Sequence, residues 1–187
     1  MLELLAEAGA VLVDPAEIES IRELYSYRSS VLLHEFKADL NAYLGKLPPG
    51  LPVRSLSELI AFNAAHHEQA LSFGQTTLIE ADQTSGTLTE PVYIRDRFRD
   101  LRLSRREGID AALRKHRLDA LLFPGCTGDT IAARAGYPSV AVPAGYLDDG
   151  RPFGIMFTGT AFSEPILIKL AYAFEQLGPW KRPPVLE

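Results

Sequence analysis

Leu118-Asp-Ala-Leu-Leu-Phe-Pro-Gly-Cys-Thr127 is a short apolar run stopped by Pro124-Gly125. A run of this length ending in a turn signal reads as a buried strand leading into a loop. Ser139-Val-Ala-Val142 reads as a second buried strand, and Asp148-Asp-Gly150 as a turn into Pro152-Phe-Gly-Ile-Met-Phe157, which predicts a β-hairpin. Beyond it Ser163 is placed to cap a helix in which Ile166, Leu167, Leu170, Ala171 and Phe174 recur at helical spacing, ended by Gly178-Pro179.

The preceding chain is mostly helical in pattern. Leu2, Leu4, Leu5 and Ala8 share one helical face, Gly9 fits a stop, and Ala10-Val-Leu-Val13 reads as a short buried strand. A helix feeding a strand is half of a repeating α/β unit, whose preceding strand is not in the sequence. Residues 16–44 carry a helical pattern, and Leu-Pro-Pro-Gly-Leu-Pro over 47–52 breaks it. Ser55-Leu-Ser-Glu58 matches a capping box opening a helix to about Phe73. Residues 74–88 read as irregular, and a long helix is expected from Thr89-Glu-Pro91 to about Arg117. The pattern predicts a single α/β domain over residues 1–187, its strands covered by helices.

Composition bounds the function. An apolar fraction of 47% supports a core, and a net charge of −5 gives no sign of a nucleic-acid binder. The only cysteine is Cys126, so no intramolecular disulfide forms. No apolar run reaches the roughly 18–20 residues that span a bilayer. Acidic residues in Met1-Leu-Glu-Leu-Leu-Ala-Glu-Ala-Gly9 argue against a signal peptide, and a cytoplasmic protein is expected.

A search for chemistry returns little. Neither a Gly-x-Ser-x-Gly elbow nor a Ser-x-x-Lys occurs. Thr84-Ser-Gly-Thr87 reads as a polar loop rather than a nucleophile loop. His66 and His67 are adjacent, so on a helix they diverge by about 100° and suit packing or the surface better than a shared metal. Cys126 with His116 would be a conceivable nucleophile pair, but a small loop residue is the favoured reading. In Arg95–Arg106 the arginines alternate with Asp96 and Asp100, which suits a solvated helix laced with ion pairs. No Walker A loop or dinucleotide fingerprint is present, and no cofactor or metal is expected.

Ala135-Gly-Tyr-Pro-Ser-Val-Ala-Val-Pro-Ala-Gly145, Pro152-Phe-Gly-Ile-Met-Phe-Thr-Gly159 and Leu170-Ala-Tyr-Ala-Phe-Glu-Gln176 follow the strand at 118–123 in an order that resembles the end of amidase-signature enzymes. The stretches around Glu35–Tyr43, Val53–Asn63, Phe73-Gly-Gln75 and Leu2–Asp14 resemble earlier parts of the same family. The resemblance implies part of an α/β/α sandwich around a mixed β-sheet, closed by a C-terminal hairpin and a final helix. It implies a carboxamide hydrolase using a serine, a bridging serine and a lysine. No residue here matches any of the three: Lys37, Lys46, Lys115, Lys169 and Lys181 lie outside the lysine's context. No catalytic residue is assigned, and the chain is expected to be inactive alone. What the tail would contribute is sheet core and part of a pocket for a small amide substrate, through Cys126, Thr127 and Asp129 in the loop from Pro124 to Asp129, with Gln75 as a weaker candidate. Asp129 has a competing role as a cap of the turn at Thr130–Arg134. Homo-oligomerisation through an exposed sheet edge or apolar face is expected, with no nucleic-acid or membrane partner. A noncatalytic binding or assembly module on the same fold is the alternative, and an independent Cys126 hydrolase ranks below both. The pattern suits stand-alone amidases better than the amidotransferase subunit of the superfamily.

Overall fold

The computed structural model describes residues 1–183. The elements run α1 (Leu2–Glu7), α2 (Ile21–Tyr25), α3 (Val31–Lys46), α4 (Leu56–Ala65), α5 (His67–Ala70), α6 (Thr76–Asp82), α7 (Pro91–Leu101), a π-type stretch (Arg102–Ile109), α8 (Asp110–His116), β1 (Leu121–Pro124), α9 (Asp129–Ala135), β2 (Ser139–Tyr146), β3 (Pro152–Thr158) and α10 (Glu164–Glu175). They divide into two compact units. Unit 1 comprises Met1–Tyr27 and the chain from Asp100 onward; unit 2 is Arg28–Arg99.

Unit 1 carries the sheet, in the order β1-β3-β2. The expected hairpin forms, with Val140 opposite Phe157 and Val142 opposite Ile155, and a bulge between Pro143 and Gly145. β1 pairs with the far side of β3, Leu121 opposite Thr158 and Phe123 opposite Met156. Successive side chains of a strand point to opposite faces. Ala120 and Leu122 therefore join Val142, Ile155, Phe157, Leu167 and Phe174 under α10. Leu121 and Phe123 join Leu103, Ile109, Ile131 and Leu24 on the other face. Helices thus cover both faces of β1, an α/β arrangement. The resemblance implies a mixed sheet, whereas both pairings among the described residues are antiparallel.

Several local expectations are corrected. Ala10–Val13 makes no ladder and Val11 is 91% exposed, because an extended segment becomes a strand only beside a partner. The 16–44 pattern is two helices, α2 and α3, and residues 74–88 contain α6. The helix from Ser55 ends at Ala65, with only a further turn at α5. The stretch expected as one helix to Arg117 is interrupted at Gly108, whose φ −104° and ψ −111° are non-helical. A Cβ at Gly108 would overlap the Leu103 carbonyl, so only glycine allows that approach. Ser163 precedes α10, but its hydroxyl donates to the Thr160 carbonyl (2.7 Å) instead of capping the helix.

Unit 2 packs α3, α4 and α6 through a smaller apolar core of Val31, Leu44, Leu56 and Ala81. Ser55 caps α4, its Oγ accepting from the Glu58 amide at 3.2 Å. The Glu58 carboxylate accepts from the Arg54 amide (2.6 Å), one residue earlier than the capping-box pattern. The Arg54 guanidinium donates to the carbonyls of Gly45, Leu47 and Pro48, satisfying the end of α3.

Candidate functional site

The loop from Pro124 to Asp129 starts where β1 ends, and Gly125 remains tied to the sheet by its amide, which donates to the Gly154 carbonyl at 2.8 Å. The chain then folds back on itself. The Pro124 carbonyl accepts from the Thr127 amide (3.3 Å) and hydroxyl (2.9 Å), and the Asp129 amide donates to the Cys126 carbonyl (3.0 Å). Gly128 lies against the Phe123 ring so closely that any Cβ would overlap it, so the turn is built for glycine. Tyr25 reaches the Thr127 carbonyl with its hydroxyl at 3.5 Å.

This geometry fixes what each candidate presents. Cys126 is exposed with a free thiol. The Thr127 hydroxyl spends its proton on Pro124 and keeps lone pairs for a donor. Asp129 is the first residue of α9, whose N-cap is Gly128. Its Oδ1 accepts from the Thr130 amide and from the Thr130 hydroxyl (3.0 Å), while Oδ2 makes no hydrogen bond among the described residues. Asp129 therefore does hold the turn at Thr130, with one oxygen still open. The structure brings Cys126, Thr127 and Asp129 together in one loop.

Gln75 belongs to unit 2, where its amide is engaged at both ends. Its Nε2 donates to the Ile60 carbonyl and its Oε1 accepts from Asn63 Nδ2, each at 3.2 Å. Cys126 and His116 make no hydrogen bond to each other. They flank β1 at opposite ends, which at about 3.3 Å per residue are roughly 10 Å apart. His66 accounts for itself structurally, stacked on Phe62 with ring centroids 4.2 Å apart. Its Nδ1 also lies 2.8 Å from the Phe62 carbonyl.

A polar cluster in unit 2 left no trace in the sequence reading. The His34 ring lies between the Ser30 carbonyl, 2.8 Å from Nδ1, and the Glu90 carboxylate at Nε2. Glu90 also accepts from the Ser85 amide (2.7 Å). Hydrogen bonding from Ser85 holds its carboxyl below the ordinary range, with a smaller pull from His34 against the effect of burial. Lys37 ties down the same loop, donating to the carbonyls of Asp82 (2.5 Å) and Thr84 (2.8 Å) and pairing with the Asp82 carboxylate at 3.2 Å. The Ser85 hydroxyl is shared with Thr87 at 2.8 Å. Thr84–Thr87 is thus a structural loop, anchored by residues about 50 positions away. Asp96 is a second anchor, accepting from the Ser30 amide (3.0 Å) and hydroxyl (2.7 Å). Burial pushes its carboxyl upward, but these two bonds and Arg95 outweigh it and hold the group below the ordinary range.

A strand packed under helices on both faces places the molecule in the α/β class. No family model matches the chain. A probable amidase of Arabidopsis thaliana is 36% identical over 98% of the chain and 36% of its own length. The crystal structure of the native peptide amidase of Stenotrophomonas maltophilia superposes with a TM-score of 0.82 at 45% identity, over 98% of the chain and 39% of that protein. The A subunit of the glutamyl-tRNA(Gln) amidotransferase of Syntrophobacter fumaroxidans is 37% identical, but over only 37% of the chain. The chain belongs to the amidase-signature family and matches the C-terminal portion of these enzymes. It spans well under half the length of the amidases it resembles.

Proposed function

We propose that the chain forms the C-terminal part of an amidase that hydrolyses a carboxamide C–N bond, and that it is inactive by itself. The observation that carries this is the 45% identity to a peptide amidase maintained over 98% of the chain. In this reading the serine, bridging serine and lysine implied by the family are supplied by polypeptide outside these residues. The sheet of unit 1 holds the loop from Pro124 to Asp129 as one wall of the substrate pocket. Asp129 Oδ2 accepts an N–H of the substrate, the Thr127 hydroxyl accepts a second donor, and Cys126 lines the wall. Gln75 is proposed as a further substrate contact on its own account. The substrate is a small amide. The 187 residues act as a single cytoplasmic domain and, when isolated, self-associate through an exposed sheet edge or apolar face.

The test is turnover of a simple peptide amide. The purified chain is expected to show none, and turnover abolished by Cys126→Ala would sink the proposal. Joined or mixed with the remainder of an amidase of the family, it is expected to hydrolyse the amide. In that complex Asp129→Ala is expected to raise KM about tenfold or more, corresponding to roughly 1.4 kcal/mol, with kcat little changed. The engagement of Thr127, Asp129 and Gln75 within the chain supports a second reading, a noncatalytic binding or assembly module. A complex that forms fully yet never turns over an amide would favour it.

A further inference from the structure

α9 joins the candidate loop to the turn at Gly136, and two kinds of contact hold it. Ile131 and Ala135 are buried in the apolar cluster on one face of β1. Such burial attaches the helix but has no preferred direction. Direction comes from Arg134, on the same inward side. Its Nη1 donates to the Leu24 carbonyl at 2.8 Å and to Asp100 Oδ1 at 3.2 Å. Its guanidinium lies over the Tyr27 ring, 5.0 Å from the centroid. The Tyr27 hydroxyl donates to the same Asp100 oxygen at 2.5 Å. Asp100 is 1% exposed, and its own carbonyl accepts from the buried Ser104 hydroxyl at 2.6 Å.

Stability alone gives no reason for this cluster. A buried ion pair loses hydration that its attraction often fails to repay, and apolar side chains of the same volume would hold α9 as well. What they would not give is one defined position. Arg134 meets a carbonyl 110 positions away and a carboxylate 34 positions away, each at a fixed distance. The other side of α9 carries Asp129. At about 100° per residue, the five positions from Asp129 to Arg134 leave the two side chains about 140° apart. The anchor therefore points inward and the exposed Asp129 outward. A helix of seven residues has little to flex between them, so a rotation at Arg134 carries the Asp129 carboxylate through the same angle.

We propose that Arg134 is a positioning residue for the amide substrate. With Asp100 and Tyr27 it sets the rotation of α9, and thereby the place where Asp129 Oδ2 accepts the substrate N–H. Arg134 touches no substrate and acts through Asp129. Tyr27 acts through Arg134, covering one face of the guanidinium and sharing its acceptor. Apolar burial keeps α9 in unit 1, and the polar cluster aims it. This rests on the reading of the loop from Pro124 to Asp129 as one wall of an amidase pocket, and adds what orients that wall.

The test reads the loop and the substrate separately. In the chain alone, Arg134→Lys keeps the charge but loses the planar fork that serves two acceptors. The Thr127 and Asp129 amides, which bond to the Pro124 and Cys126 carbonyls, are then expected to exchange about tenfold faster, while the amides of β3 are unchanged. Tyr27→Phe removes one hydroxyl and is expected to give the same change at about threefold. It carries both measurements if Arg134→Lys does not fold. The second arm co-expresses the chain with the portion of the Stenotrophomonas maltophilia peptide amidase that the chain does not match. There Arg134→Lys is expected to raise KM for a simple peptide amide about tenfold, with kcat within about twofold. Combined with Asp129→Ala, which removes the carboxylate it aims, Arg134→Lys adds nothing to KM, whereas a merely structural arginine would multiply the two penalties. Unchanged exchange at Thr127 and Asp129, an unmoved KM, or penalties that multiply would each overturn the proposal. A wild-type complex without turnover overturns the amidase reading and this inference with it. Turnover with multiplying penalties overturns this inference alone.

Discussion

The two units hold together by different means. In unit 1 the apolar clusters on either side of β1 include Leu24, Leu103, Ile109, Ile131, Ile155, Leu167 and Phe174, none more than 1% exposed. In unit 2 only Val31, Leu44, Leu56 and Ala81 are buried apolar residues among those described, and His34 and Asp96 are buried beside them. Unit 1 relies mainly on area removed from water, which has no preferred direction and tolerates some repacking, although Ser20, Asp100, Ser104 and Thr158 are buried in it as well. Unit 2 relies on hydrogen bonds at defined geometry, whose loss strands a buried partner. The sheet and the loop from Pro124 to Asp129 stand on the first kind of support.

The largest effect is expected at Phe174. Its ring packs edge-on to Phe157 with centroids 6.5 Å apart and stacks on Trp180 at 4.9 Å. Phe174→Ala leaves a cavity between the sheet and α10 and is expected to cost about 3–5 kcal/mol. Trp180, the sole tryptophan, lies against the substituted side chain, so its fluorescence follows the urea transition directly. Amide exchange is expected to rise in β3 and α10. A loss below about 1 kcal/mol would place unit 1 on the same footing as unit 2.

Next comes Asp96→Ala, which leaves the Ser30 amide and hydroxyl without their acceptor. The expected loss is about 1–3 kcal/mol, read as faster exchange from Ser30 to His34. It also carries a pH signature. The carboxyls of Asp96 and Glu90 are held below the ordinary range in the folded chain, so on acidification the unfolded chain takes up their protons first. The stability they contribute is present above the unfolded carboxylate pKa and is lost as pH falls through the lower folded value. Asp96→Ala is expected to flatten part of that acid-side slope, whereas Phe174→Ala leaves it unchanged. Equal slopes in the wild type and Asp96→Ala would remove the case for the carboxylate as an anchor.

The same division explains what could be read in the sequence. Signals carried within a few residues were legible: the cap at Ser55, the strand stopped by Pro124, the hairpin across Asp148-Asp-Gly150 and the period of α10. The loop from Pro124 to Asp129 was legible as a strand-end loop, as was the competing turn role of Asp129. What could not be read depends on distant partners. The Ala10–Val13 segment has a strand's composition but no ladder. Gly108 breaks a helical pattern because the Leu103 carbonyl packs where a side chain would go. His34 and Glu90 meet across 56 positions, and neither carries a local mark of the other. Ser163 looks like a cap until its hydroxyl is seen to turn back to Thr160.

A smaller effect tests a local bond inside unit 2. Ser55→Ala removes the oxygen that accepts from the Glu58 amide and is expected to cost about 1 kcal/mol. Increased exchange confined to the first turn of α4 is the outcome that fits. Exchange spreading into α3 and α6 would mean that the cap supports the whole unit, and that its polar bonds act as one network.

The smallest effect separates burial from charge. Arg28 and Glu80 form an ion pair in unit 2, but the arginine side chain is 76% exposed and the glutamate 37%. Water screens such a pair, and holding two long side chains in one geometry costs entropy, so exposed pairs contribute about 0.2–1 kcal/mol. Arg28→Ala is therefore expected to cost no more than about 0.5 kcal/mol, and less as salt is raised. Asp96→Ala should respond less to salt: it also loses the pair with the exposed Arg95, but most of its cost is the stranded amide and hydroxyl of Ser30 rather than a screened charge. If the two substitutions cost the same and fade together in salt, unit 2 is held by charge attraction. If only Arg28→Ala is small and salt-sensitive, what holds unit 2 is the satisfaction of buried polar groups.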